Sequence, residues 1–284
     1  PLVFTCRMTA LEQKLATEEA QAMSAEEKGF ADAALAALPE AHRAHFQGDE
    51  EGVLLVVRGF ASEKDRMNAT ISNMQMISEW REKIGFYDRF NQPIPGADQF
   101  HGWWPERIHG TDTWGHVIQS LRIEEINTDK IASLSDEQIE QYQGQRLKSY
   151  ASYKQQISRE RGVQRYKHTL IIDLKHVSMS MLAGSKRHTI QRIFHVGSTY
   201  FPETMWRIYL VNPPMVFRAI WAIIKNFLHP LTINKVHFCA NYKDAMKRMV
   251  DEQIPLQALP HWIGGESKGI TAYDFIKSDL AGVK

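Results

Sequence analysis

The chain has two cysteines in 284 residues, Cys6 and Cys239. They stand far apart and outside any Cys-x-x-Cys spacing, which argues against a disulfide scaffold and for free thiols in a reducing compartment. Metal signatures are missing as well. The twelve histidines, His42 and His45 among them, form no His-Glu-x-x-His or Cys/His cluster. No glycine-rich phosphate loop of the Walker or Rossmann form occurs, and there is no internal repeat or low-complexity segment. Long apolar runs are lacking too. The most apolar stretch, Met205 to Leu228, is broken by Arg207, Asn212-Pro213-Pro214, Arg218 and Lys225, and falls short of the ~20 apolar residues that a membrane span needs. Pro1 to Arg7 lack the basic, apolar and cleavage regions of a signal peptide, and read as a remnant ahead of a start at Met8.

Covalent chemistry has one candidate, Gly265-Glu266-Ser267-Lys268-Gly269, which has the G-x-S-x-G form of a hydrolase nucleophile elbow. Such a serine needs a strand before it and an acid and a histidine after it. Leu259-Pro260-His261-Trp262 is poor strand, and no histidine follows Gly269. The chain is therefore expected not to be an enzyme, and to carry no cofactor or metal.

Composition is that of an ordinary globular protein, 43% hydrophobic and 24% charged, with a net charge of +1. That balance hides an asymmetry. Residues 1–140 hold 13 Lys+Arg against 24 Asp+Glu, residues 141–192 hold 11 against 2, and residues 205–250 hold 7 against 1. A basic second half suggests an anionic partner such as nucleic acid or a lipid surface, although basic side chains that are merely solvated would look the same.

The first hundred residues read as helices. Leu11 to Met23 is the first, and Ser24-Ala25-Glu26-Glu27 has the form of a capping box for a second that ends at Pro39. A longer helix from about Ser62 places Met67, Ile71, Met74, Ile77, Trp80 and Ile84 on one stripe. Asn91-Gln92-Pro93-Ile94-Pro95-Gly96 breaks the pattern and is the expected boundary between a helical region, 8–96, and a second domain, 97–284. Beyond it, short apolar strands alternate with helices: Val117 to Ile123, Thr169 to Ile172, Ile208 to Val211 and Val236 to Cys239. Alternation of this kind predicts an α/β domain with a mainly parallel sheet. The intervening helices are one after Ser135, one over Met181 to Tyr200 and one over Met215 to Leu228.

The last of these carries Val216, Phe217, Ile220, Trp221, Ile223, Ile224, Phe227 and Leu228 around most of its circumference, with Arg218 and Lys225 on one polar strip. It fits a core helix, or one that lines an apolar cavity and meets lipid on its other side. Asn212-Pro213-Pro214 ahead of it has the look of a hinge. Glu203 and Lys235 stand at the ends of two crossover units, where α/β folds often place ligand groups.

Several ordered segments together resemble one family. They are Asp173-Leu174-Lys175, Tyr200-Phe201-Pro202-Glu203, Ile208-Tyr209-Leu210-Val211-Asn212-Pro213-Pro214, Asn226 through Val236, and Leu259-Pro260-His261-Trp262-Ile263-Gly264-Gly265. Their order and spacing resemble the CRAL-TRIO lipid-binding domain, and within it the yeast-type phosphatidylinositol transfer proteins, over roughly Trp103 to Thr271. The resemblance implies an apolar pocket floored by the sheet and closed by a gate helix bearing Val216, Phe217, Ile220, Trp221, Ile224, Phe227 and Leu228. It also implies that Glu203, Thr232 and Lys235 hold an inositol phosphate headgroup, with Arg58 in Leu54-Leu55-Val56-Val57-Arg58-Gly59-Phe60 as a further ligand. The expected partners are phosphatidylinositol or a related phospholipid and, transiently, an anionic membrane surface, with no nucleic acid. The protein is expected to be a cytoplasmic monomer. A lipid-sensing recruitment module, or a carrier of a tocopherol- or retinoid-like hydrophobe, are the alternatives. Departures from the family pattern are Thr204 in place of an arginine, His176 in place of a glycine, and His229 in place of an acid. His168, Leu170 and Ile118 stand where phosphatidylcholine contacts are expected, which puts phosphatidylcholine exchange in doubt.

Overall fold

The structure is a computed structural model that describes residues 10–228 and 230–282, with the backbone alone at Ala10, Leu11, Phe227, Pro230 and Leu231. Cys6, Met8 and His229 lie outside the described residues.

Among the described residues, seven helices come first: α1 (Ala10–Ala20), α2 (Ala25–Ala37), α3 (Glu40–Ala44), α4 (Glu50–Gly59), α5 (Arg66–Ile84), α6 (Phe86–Arg89) and α7 (Ala97–Trp103). Local chemistry sets their ends. Ser24 accepts from the Glu27 amide while the Glu27 carboxylate accepts from the Ser24 amide, the reciprocal capping expected from sequence. On α5, Met74, Ile77, Trp80 and Ile84 are buried and Met67 and Ile71 pack beside them, as the stripe requires. The turn at Gly96 takes φ +84° and lies under the Tyr142 hydroxyl, where a Cβ would meet it at 2.6 Å. Packing is continuous across that turn. Trp80, Ile84, Phe86 and Phe90 share one core with Phe100, Leu121, Ile139, Tyr142, Ile193 and Val196.

The rest of the chain supplies strands β1 (Arg107–Thr111), β2 (Val117–Arg122), β3 (His168–Asp173), β4 (Met205–Val211), β5 (Val236–Cys239) and β6 (Ile270–Thr271). Helices α8 (Thr128–Ile131), α9 (Asp136–Arg161), α10 (Ser185–Tyr200), α11 (Phe217–Ile224), α12 (Pro230–Ile233), α13 (Tyr242–Asp251) and α14 (Ala272–Leu280) accompany them. The sheet runs β5-β4-β3-β2-β1-β6. Strands β2 to β5 pair in parallel, as the alternation predicts, and β1 runs antiparallel to both β2 and β6. The two antiparallel strands escaped the sequence reading because one is short and carries His109 and Gly110, and the other has two residues.

The two faces of the sheet differ. Ile118, Ile171, Tyr209, Val211 and Cys239 point to one side and pack with Ala245 and Met249 of α13 and with Ala258, Leu259 and Ile263. The alternate residues, Leu121, Leu170, Ile172, Ile208 and Leu210, floor a cavity on the other side, as the two-residue period of a strand dictates. Helices α9 and α10 wall it. Glu140, fully buried on α9, pairs with Lys83 of α5 and with Arg192 of α10, so the helical layer is joined by a shared charge as well as by apolar packing.

The helix expected over Met215 to Leu228 is shorter. It spans Phe217–Ile224 and continues as a 3₁₀ turn over Lys225–Phe227. The helix expected from Met181 begins instead at Ser185, because Gly184 at φ +56° separates it from a 3₁₀ turn over Met179–Leu182.

Candidate functional site

The cavity is open at its mouth, and about 1620 Å³ of space lies within it and in the solvent just outside. Its floor is the apolar sheet face, one wall comes from Leu147 of α9 and Ile193 of α10, and Phe217, Trp221, Ile224 and Leu228 close the side toward α11. Phe217, Trp221 and Ile224 recur at intervals of four and three residues, one helical stripe, and Leu228 follows the 3₁₀ turn. Of the expected gate residues, Ile220 is buried in the neighbouring core with Leu174, Leu182 and Ile208 rather than lining the cavity. Val216 is exposed and lies before the helix begins, so it does not line the cavity. The Phe227 side chain lies outside the described residues. Arg218 and Lys225 are both exposed, and neither lines the cavity. A helix apolar nearly all round is thus resolved into a cavity stripe, a core residue and a basic outer strip.

The hinge expected at Asn212-Pro213-Pro214 has a defined anchor. Asn212 takes φ +53°, a region that suits asparagine better than most residues. Its amide Nδ2 donates to Asp173 Oδ1 at 2.8 Å, and Tyr242 donates to the other carboxylate oxygen at 2.7 Å. His176 stands at φ +66°, which is the physical reason a glycine suits that position. Its ring pairs at 3.4 Å with Glu124.

Glu203, Thr232 and Lys235 all line the cavity. The structure brings a fourth group to them that the sequence reading missed: Lys167, whose Nζ is 2.7 Å from Glu203 Oε1, nearer than Lys235 Nζ at 3.4 Å. Lys167, Glu203 and Lys235 stand just ahead of β3, β4 and β5, so three adjacent parallel strands carry them to one edge of the sheet. Lys167 precedes its strand as Lys235 precedes its own, and that equivalence was the available signal. Open parallel sheets commonly bind ligands at the carboxyl edge, but here that edge holds Asp173 and Asn212, and the charged group sits at the amino edge.

Electrostatics rank the two lysines. Burial raises the Glu203 carboxyl, but Lys167 and Lys235 outweigh it and hold it below its ordinary value. Burial lowers Lys167, yet Glu203, Tyr166 and Glu19 bring it above its ordinary value. Lys235, farther from Glu203, stays lowered by burial. Lys167 is therefore the settled partner of Glu203, and Lys235 the cation less completely balanced from within. Glu203 also takes φ +55°, a left-handed conformation costing about 1–2 kcal/mol outside glycine.

Arg58 lies elsewhere. Its guanidinium pairs with Glu27 at 2.8 Å, reaches the Tyr166 hydroxyl and donates to the carbonyls of Glu18 and Gln21. It fastens α1 and α2 to α4 and does not line the cavity, which corrects its expected place beside the headgroup. The phosphatidylcholine positions divide in the same way. His168 and Leu170 line the cavity, whereas Ile118 faces the opposite side and Gln119, one residue on, takes the cavity position. A shift of one residue along a strand exchanges its faces.

Ser267 has a histidine after all. His109 of β1 places Nδ1 2.8 Å from Ser267 Oγ and Nε2 2.9 Å from Ser120 Oγ. Chain order after the serine was the wrong test, because β1 and the C-terminal loop meet across the fold. Burial, with Arg107 and His261 nearby, pushes His109 down to about 4. Its second nitrogen meets a hydroxyl in place of a carboxylate, and Ser267 does not line the cavity. The contact is a strap between loop and sheet. Gly269, at φ +67°, lets it close, since a Cβ there would meet the His109 ring at 2.6 Å.

Residues 104–265 match the family model of the CRAL/TRIO domain. The chain belongs to that family. Among relatives, it is 37% identical over 98 residues to the SEC14 cytosolic factor of Yarrowia lipolytica, a match covering 34% of this chain and 19% of that protein. It is 24% identical over 221 residues to the SEC14 cytosolic factor of Kluyveromyces lactis, covering 75% and 70%. It is 24% identical over 216 residues to the phosphatidylinositol/phosphatidylcholine transfer protein SFH4 of Arabidopsis thaliana, covering 72% and 34%. The chain thus spans about a third or less of the length of the first and third of these relatives. The CRAL/TRIO match runs from Trp104, ahead of β1, to Gly265, and contains every cavity strand.

Proposed function

We propose that this chain binds phosphatidylinositol, or a related phospholipid, in the cavity and exchanges it at membrane surfaces without making or breaking bonds. The carrying observation is the pairing of an apolar-walled cavity with Glu203, Thr232 and Lys235 on its lining. A phosphate suits the Lys235 ammonium and the Thr232 hydroxyl, and inositol hydroxyls can donate to the Glu203 carboxylate. Lys167 positions that carboxylate. The names of the SEC14 and SFH4 relatives support the same reading.

Acyl chains moving from bilayer to cavity exchange one hydrocarbon surrounding for another, so selectivity falls to the charged group. Sparing the chains from water is the kinetic service, since each buried CH₂ is worth about 0.8 kcal/mol. Helix α11 would open and close about Asn212-Pro213-Pro214, meeting an anionic membrane through exposed Met215, Arg218 and Lys225. In this reading residues 97–284 form the lipid-binding domain, 8–96 support it, and the protein works as a cytoplasmic monomer with no cofactor.

The test is to purify the chain without detergent, extract it with organic solvent and identify released lipids by mass spectrometry. About one phosphatidylinositol per protein is expected, reduced in Lys235→Met. Loading from liposomes by another hydrophobe but never by phosphatidylinositol would overturn the headgroup assignment and leave the fold untouched.

A further inference from the structure

The cavity holds a second group of polar side chains that the headgroup residues do not use. Gln119 of β2, His168 at the start of β3 and Arg146 of α9 line it, and they are only 3%, 5% and 7% exposed. Glu106, just ahead of β1, lines it as well. Its carboxylate pairs with Arg146, and Oε1 accepts a hydrogen bond from Trp104 Nε1 at 2.7 Å. Glu106 Oε2 and Arg146 Nη1 have each other as an ion pair, and beyond that pair three atoms of this group have no hydrogen-bond partner among the described residues: Gln119 Nε2, Arg146 Nε and His168 Nδ1.

Their chemistry is one-sided. The Gln119 and Arg146 nitrogens can only donate, and a neutral imidazole can carry its proton on Nδ1. Burial, with Lys154 and Arg146 nearby, holds His168 well below its ordinary value and so in the neutral form. The charges of Arg146 and Glu106 cancel. What remains is an uncharged corner with a surplus of donors, set in a hydrocarbon wall, where an unpartnered donor is costly. A quaternary ammonium offers no acceptor to such donors, and a phosphate would bring a charge that nothing here balances.

We propose that this corner is a second subsite, which receives an uncharged oxygen, a carbonyl, ester or hydroxyl, of a hydrophobic ligand. The inference rests on the cavity being a lipid pocket. The oxygen has two sources, the ester carbonyl of the same phospholipid whose headgroup meets Lys235 or a separate neutral lipid such as a diacylglycerol.

The test loads the full chain from phosphatidylcholine vesicles containing either phosphatidylinositol or dioleoylglycerol, repurifies it and counts bound lipid by mass spectrometry. Two variants are compared with the unaltered chain. Gln119→Leu removes a donor at nearly constant volume. The pair Arg146→Met with Glu106→Gln removes both charges together, so that no lone charge stays buried, and thermal melts check that each variant folds. A drop of about tenfold in dioleoylglycerol uptake supports the subsite with a separate neutral lipid as its occupant. A similar drop in phosphatidylinositol uptake, in a protein that never takes dioleoylglycerol, supports it with the ester carbonyl as its occupant. Folded variants that load both lipids as the unaltered chain does would leave the corner holding only water and overturn the subsite. An unaltered chain that takes up neither lipid would overturn the lipid-pocket reading itself, and the subsite with it.

Discussion

Single side chains carry most of the specificity argued above, and the lysines beside Glu203 divide the work. Lys235 is the cation less completely balanced within the protein, so Lys235→Met is expected to remove a charge-assisted hydrogen bond to phosphate, worth about 1.5–3 kcal/mol. Phosphatidylinositol affinity should fall roughly ten- to hundredfold while the melting temperature stays near its original value. Lys167 is bound differently. Nearly fully buried and paired at 2.7 Å with Glu203, it holds a strained residue in place, so Lys167→Met should lower stability as well as binding. Equilibrium urea unfolding separates the two, and a pure binding defect in Lys167→Met would show that its role has been misjudged. Ser267 gives the opposite expectation. Ser267→Ala loses the bond to His109 and should cost about 0.5–1.5 kcal/mol in unfolding without altering any ester hydrolysis measured in the purified protein.

At the level of elements, α1 and α11 are each held in their own way. Helix α1 is fastened by charge. Glu19 meets His116 Nε2 at 2.7 Å and accepts the Tyr166 and Lys167 amides, while His116 Nδ1 meets Asp112 at 3.0 Å and its ring stacks on Trp206. Burial alone would lower His116, but Asp112 and Glu19 raise it above its ordinary value. A raised folded value means that its contribution is complete below the unfolded value of about 6.5 and is lost as pH rises through the folded one. Glu19 is held below its ordinary value, so its share is lost only as pH falls through that lowered value. Hydrogen exchange in α1, corrected for intrinsic rates, should therefore show greatest protection in mildly acidic solution and a decline on the alkaline side. A profile that does not change in His116→Gln would refute the assignment. Helix α11 is fastened by packing. Phe217 is 4% exposed and shares its core with Leu174, Ile208 and Ile220, so Phe217→Ala is expected to cost about 3–5 kcal/mol and to speed lipid release. Stopped-flow transfer between vesicles would read the second effect.

For the whole molecule, the cavity links ligand and stability. A ligand that fills an apolar space stabilises the fold around it, and a lipid that binds only the folded state adds about 2.7 kcal/mol when present at a hundred times its dissociation constant. Thermal melts with phosphatidylinositol should therefore rise with lipid concentration, and a melt indifferent to every lipid tried would count against the carrier reading. Basic charge also takes on a location at this scale. The excess over residues 141–192 and 205–250 includes Lys154, Lys167 and Arg207, all buried and engaged inside the protein, as well as Arg218 and Lys225 on the exposed face of α11. Part of what reads along the chain as a surface for anions is internal electrostatics.

Whatever depends on local period and capping was legible along the chain: the Ser24 and Ser135 helix starts, the stripe on α5, the parallel strands β2 to β5, and the family motifs that carry Glu203, Thr232 and Lys235. Legible too was which residues could face the cavity, since strand alternation leaves two choices, but not which choice was made. Ile118 and Gln119 differ only in that, and the sheet's two covering layers decided it. Tertiary structure alone brought Lys167 to Glu203, turned Arg58 away to Glu27, set His109 against Ser267 from 158 residues earlier in the chain, and gathered Gln119, Arg146 and His168 into one corner. These are contacts between distant elements, and they follow from how layers pack, a collective property that no local stretch of sequence encodes.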